Sequence, residues 1–136
     1  MTYLITDQPI QEAELLEQMR VETSGAIVTF HGIARRPSRG RDVLYLEYSA
    51  YQPMAESVLA QIGQEARDML EVDRVIIAHR TGRLEIGETS IFIAVAAPHR
   101  QDAFAGCSHI IERIKEILPV WKKEVWDGGE EWIHGA

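Results

Sequence analysis

Cysteine is almost missing from this 136-residue chain: Cys107 stands alone, so no internal disulfide can form and no cysteine-based metal cluster can assemble. A reducing, cytoplasmic setting fits. Long apolar runs are absent as well, since nothing approaches the roughly 18 residues that a membrane helix needs and no basic N-terminal patch leads into an apolar signal segment. No membrane contact is expected. Positive charge is scarce, with 14 Lys and Arg against 21 Asp and Glu and a formal net charge of -7. Broad contact with a nucleic-acid backbone needs a basic surface that displaces counterions, so the expectation is no nucleic acid as a partner. The five histidines, His31, His79, His99, His109 and His134, show no paired spacing with cysteine or carboxylates, and neither a P-loop nor a dinucleotide fingerprint is present. Neither a metal nor a cofactor is expected.

What remains is an ordinary globular balance, 46% hydrophobic and 26% charged, without repeats, low-complexity tracts or a dividing linker, hence one domain over residues 1–136. Asp7 and Pro9 open a short helix over Ile10 to Arg20 with Leu15, Leu16 and Met19 as its apolar stripe. Gly25 starts a strand. Ala26 to Phe30 and Val43 to Tyr48 read as strands joined by a basic loop carrying Arg35, Arg36, Arg39 and Arg41. Pro53 suits a first helical position, and Ala55, Val58, Leu59, Ile62, Ala66 and Met69 recur at helical spacing through Leu70. Val75 to Ala78 and Thr89 to Ala96 look like buried strands, with Gly82 and Gly87 turns that suit antiparallel pairing. A third helix is expected from about Arg100 to Leu118, its inner face Ala103, Phe104, Cys107, Ile111, Ile114 and Leu118, with Pro119 marking its end. Extended pieces at Lys122 to Trp126 and Glu131 to Ile133 close the domain. The class is α+β, a two-layer sandwich.

Against the acidic background, cations gather around the third helix. His99 and Arg100 sit where a strand hands over to that helix, where free N–H groups and the positive end of the helix dipole attract an anion. A solvated surface pair is the alternative. Lys115 has apolar helical neighbours in Ile111, Ile114 and Leu118, and Lys122 and Lys123 follow just beyond Pro119. Desolvation and neighbouring ammonium groups both lower a lysine pKa, which would make Lys115 an amine able to exchange protons near neutrality. The alternative is a snorkelling lysine that complements the helix C-terminus. Arg100 and Lys115 lie about 22 Å apart along one helix at ~1.5 Å per residue, so one small substrate cannot touch both within one chain. A symmetric dimer could bring them together.

Weaker features have plainer readings. Cys107 falls on the apolar side of its helix as a small, inert hydrophobe. Trp121, Trp126 and Trp132 suggest an aromatic cluster, packed rather than ligand-stacking. The arginine loop could hold a phosphate or an acidic partner, or be merely solvated.

Phe30-His31-Gly32-Ile33-Ala34-Arg35, then Glu47-Tyr48 and Tyr51-Gln52-Pro53-Met54-Ala55, resemble the large, catalytic subunits of molybdopterin synthases. His79-Arg80-Thr81-Gly82, Gly87-Glu88, Pro98-His99-Arg100 with Ala103 and Phe104, and Pro119-Val120-Trp121-Lys122-Lys123-Glu124 match later motifs of that family in the same order. The resemblance covers nearly the whole chain. It implies an α/β hammerhead-type fold with antiparallel sheets and three main helices. It also implies a sulfurtransferase of molybdenum cofactor biosynthesis, which converts cyclic pyranopterin monophosphate (precursor Z) to molybdopterin. Its sulfur comes from the C-terminal Gly-Gly thiocarboxylate of a small ubiquitin-like carrier subunit, and its assembly is a homodimer within a heterotetramer. Residue by residue, the resemblance places Arg35, His99 and Arg100 on the pterin phosphate and its surroundings, with the backbone of Ile33 and Ala34. Lys115 and Lys122 fall on the catalytic lysines, Lys123 and Glu124 on the lining of the same pocket, and Phe30 on an aromatic beside it; His99 is a further acid or base. Ile111 stands where some relatives have methionine, and Ala34 where valine is commoner. Two rival classes are an adaptor that only captures an acidic peptide tail, and a phosphoester hydrolase, which lacks a nucleophile-base motif here.

Overall fold

From Ser90 to Ala97 every residue is buried, the pattern of a strand covered on both faces. This strand, β7 (Thr89–Ala97), lies inside a four-stranded sheet. The structure, a computed structural model, describes residues 1–38 and 40–136. Arg39 of the expected basic loop lies outside the described residues.

The first sheet runs β1 (Thr2–Thr6), β5 (Arg74–Arg80), β7, β2 (Ala26–Ile33). β5 and β2 flank β7 antiparallel, and β1 joins β5 in parallel. Side-chain alternation along β7 splits the interior in two. Ile91, Ile93 and Val95 enter the main core with residues of helices α2 (Gln52–Met69) and α3 (Arg100–Ile117), including Leu59, Ile62, Ile110 and Ile114. Phe92, Ala94 and Ala96 point the other way and meet Leu15 and Met19 from the region of α1 (Glu12–Glu17). Helices thus cover both faces, so a single strand can be apolar throughout.

The second sheet runs β3 (Pro37–Ser38), β4 (Arg41–Ala50), β8 (Val120–Trp126), β9 (Gly129–His134), with β6 (Gly82–Glu85) also paired to β4. The expected α+β class is what the structure has: two largely antiparallel sheets and, among the described residues, three helices. β1, β3 and β6 were not foreseen, β3 lying in the segment expected to be a loop. β6 is the connection between β5 and β7, diverted to the other sheet at Gly82, whose φ of 82° suits glycine. No described helix is long and apolar enough to cross a membrane.

Three expectations about packing need correction. On α3 the buried seam is Ala103, Gly106, Cys107, Ile110 and Ile114, while Phe104 is 62% exposed and Ile111 only partly buried. The seam drifts round the helix as 3.6 residues per turn requires, and Gly106 is on it because Val95 lies 3.2 Å from where its Cβ would sit. The short helix is confined to Glu12–Glu17, and of its stripe Leu16 is exposed. The tryptophans do not cluster among the described ring contacts: Trp121 meets His134 edge-on, Trp126 lies under Arg41, and Trp132 under Lys123.

Candidate functional site

Strand parity decides which side chains of the second sheet meet. Tyr48 is opposite Lys122 and Leu46 opposite Glu124, so these four share one face; Glu47 is opposite Lys123 on the other. The shared face becomes one wall of a cleft of about 230 Å³. Phe30, Gly32 and Ile33 from the end of β2 form another wall, with Arg35 just beyond. A register shift between Gly32 and Ile33 turns the chain there. Ser90 and Ile91 from β7 supply the base, and Ile111 and Lys115, four residues apart on α3, overhang it.

Six of the residues singled out in the sequence therefore line one cleft: Phe30, Ile33, Arg35, Lys115, Lys122 and Glu124. Ala34 is buried beside it, its N–H donating to Glu88 O and its carbonyl accepting from Gly87 N–H. The expectation that Lys123 lines this pocket is not met in the single chain. Its neighbour Lys122 faces the cleft, so Lys123 faces away, where its amine pairs with Glu47 at 2.7 Å and Glu130 at 3.5 Å. Those carboxylates, Glu47 first, raise its pKa. His99 and Arg100 are exposed at the far end of α3, with His99 as an extended N-cap residue that makes no side-chain cap bond. The first-turn N–H groups there are left for another partner.

Lys115 combines two surroundings. Much of the side chain remains in contact with water, and its Nζ donates to the main-chain oxygen of Ala136, the last residue of the sequence, at 2.7 Å. Desolvation lowers its pKa from the ordinary lysine value, and the Lys122 ammonium adds to the shift. The cleft thus gathers Arg35, Lys115 and Lys122 together with one carboxylate, Glu124.

Tyr48, named in the sequence only within a motif, and Ser90 were not singled out as site residues, although both line the cleft. Ser90 Oγ donates to Gly32 O at 3.2 Å, and burial raises the Tyr48 pKa. Behind Tyr48, its ring edge-on at 5.2 Å, lies the fully buried His79. His79 Nδ1 bonds the Arg80 carbonyl at 2.8 Å, which requires the proton on Nδ1. Burial, with Lys115 nearby, pushes the His79 pKa down to about 4, so the ring is neutral. Cys107 is buried and its thiol pushed up to about 11, in keeping with an inert role. Among the described residues no group of three His, Cys, Asp or Glu could hold a metal.

The MoaE protein family matches residues 5–117. The chain belongs to that family. Over 131 residues it is 47% identical to the molybdopterin synthase catalytic subunit of Halalkalibacterium halodurans, covering 96% of this chain and 84% of the relative. It is 45% identical to the subunit of the same name from Bacillus subtilis, covering 95% of this chain and 82% of that one. A crystal structure of molybdopterin synthase from Staphylococcus aureus superposes with a TM-score of 0.92 at 44% identity, covering 96% of each chain. This MoaE-family chain therefore shares both sequence and fold with those synthases over nearly its whole length.

Proposed function

We propose that this chain is the catalytic subunit of a molybdopterin synthase, moving sulfur from the thiocarboxylated C-terminus of a small ubiquitin-like carrier to precursor Z. The observation that carries the reading is the convergence of Lys115, Lys122, Arg35 and Glu124 on one cleft from three separate stretches of the chain.

In this reading the tail lies extended with its thiocarboxylate between the two lysines. Its sulfur bonds to a side-chain carbon of the pterin as that carbon's bond to oxygen breaks, the oxygen leaving with the phosphate group or as water; a water molecule then attacks the acyl carbon and the acyl C–S bond breaks. The tail leaves as a carboxylate, the sulfur stays on the pterin, and a second tail repeats the step. Lys115 and Lys122 hold the thiocarboxylate, stabilise the oxyanion formed on the acyl carbon, and move protons. Arg35 takes the substrate phosphate. His99 and Arg100 reach the same site only from a second copy, because α3 separates them from Lys115 by about 22 Å. A homodimer with a carrier at each end satisfies this.

The test combines purified protein, precursor Z and a thiocarboxylated carrier. Dithiolene product is expected, with Lys115→Ala nearly silent. Tail binding without turnover would mean an adaptor instead. For the shared site, Arg100→Ala and Lys115→Ala proteins are mixed after dissociation. Hybrid dimers hold one intact site and regain part of the activity; no recovery would rule the shared site out.

A further inference from the structure

Arg41 belongs to the basic loop that the sequence offers as a phosphate or acidic-partner site, yet its charge is engaged inside the protein. Its guanidinium carbon lies 4.0 Å from the centre of the Trp126 ring, close enough for a cation–π contact. One terminal nitrogen meets Glu131 at 2.7 Å and the other meets Glu124 at 3.3 Å. The Glu124 side chain is only 3% exposed and lines the cleft with Lys115 and Lys122. Arg35, by contrast, lines the cleft itself.

We infer that Arg41 is a positioning residue: clamped between Trp126 and Glu131, it holds the Glu124 carboxylate at the angle from which it faces the two lysines. The proposal rests on the sulfur-transfer reading of the cleft. Two anchors, Trp126 and Glu131, fix the guanidinium plane, and a planar fork bridging two carboxylates transmits that orientation to Glu124 where a lone ammonium could not. Arg35 and Arg41 thus divide the loop's labour. The first meets the substrate anion, and the second fixes a carboxylate that acts on the lysines.

The experiment measures kcat and KM for precursor Z, with thiocarboxylated carrier saturating, in wild type, Arg35→Ala, Arg41→Met and Arg41→Lys. Arg41→Met keeps an apolar stem over Trp126 but loses the fork. It should lower kcat about tenfold to hundredfold with KM within about twofold. Arg41→Lys should rescue little of this, while Arg35→Ala should mainly raise KM. If Arg41→Met raised KM and kept kcat, Arg41 would be touching the anion directly, and the clamp would be wrong. Unchanged kcat and KM at wild-type Tm would also overturn it. Arg41→Lys, which retains charge and stem, serves the same comparison should Arg41→Met lose its fold. A second readout needs no turnover: the 13C signal of the Glu124 carboxyl, identified by its loss in Glu124→Gln, should move in Arg41→Met. A stationary signal refutes the clamp. If wild type made no dithiolene product, the sulfur-transfer reading would fall, and the carboxyl signal would still decide the clamp.

Discussion

Replacing His79 by glutamine should flatten part of the protein's acid sensitivity by an amount the structure sets. The imidazole is fully buried against Tyr48, and burial together with the nearby Lys115 holds its pKa at about 4 instead of 6.5. Above pH 6.5 the ring is neutral whether the chain is folded or not, and it contributes no pH dependence. As pH falls from 6.5 towards 4, the unfolded chain takes up a proton that the folded chain refuses, so stability drops by 1.36 kcal/mol per unit. Across that window the loss is roughly 3 kcal/mol, a large share of the 5–15 kcal/mol typical of a domain. Below pH 4 both states carry the proton and this contribution levels off. Urea unfolding at pH 7, 6, 5 and 4 gives the stability of wild type and His79→Gln, and the difference between them isolates this one group. Glutamine costs some stability at every pH, so the prediction concerns the slope. The gap between the two curves should shift in favour of the variant by roughly 3 kcal/mol between pH 6.5 and 4. Parallel curves would mean that His79 accepts its proton in the folded state, and the buried neutral ring would be refuted.

Lys115→Arg should lose most turnover in the dithiolene assay despite keeping its charge, because a guanidinium does not release a proton at working pH; full activity would reduce Lys115 to an electrostatic role. Lys122→Ala should cost far more activity than Lys123→Ala, since only Lys122 faces the cleft, and equal losses measured side by side would contradict the strand parity. Gly63→Ala should destabilise the fold by roughly 1–3 kcal/mol in a urea titration, because a methyl there would run into the Tyr3 ring; a gain in stability would show that the ring yields freely. Glu65, whose carboxyl is held at about 2 by Arg113 first and also by His109, contributes stability that is present above pH 4.5 and lost as pH falls towards 2. Glu65→Gln should therefore matter at pH 6 by roughly 1 kcal/mol for a partly exposed pair and cease to matter near pH 2, as thermal unfolding at the two pH values can check.

Periodicity made α2, α3, β5 and β7 legible, because burial of one helical stripe or of both strand faces leaves an unmistakable apolar pattern. It did not find β1, β3 or β6. Thr2–Thr6 is too short to show a pattern, and Gly82–Glu85 is a strand only because β4 lies alongside it. Phe104 was expected inside because adjacent apolar residues leave the phase of a helix open by one position, and only the packing of Gly106 on Val95 settles it.

For the site, residue type was enough to single out Lys115 and Lys122, since cations beside apolar residues in an acidic chain are chemically conspicuous, whereas Arg35 and Glu124 were assigned to it by the family resemblance. Lys122 and Lys123 are equivalent in composition, and the register of β8 against β4 is what sends one into the cleft and the other to Glu47. The same holds for Arg41, whose carboxylate partner Glu124 lies 83 residues away, and for Tyr48, Ser90 and His79, ordinary residues until two sheets and a helix close around them. The chain's chemistry is local and was readable one residue at a time. Which groups share a cleft depends on contacts distant in sequence, and those exist only once the strands have paired.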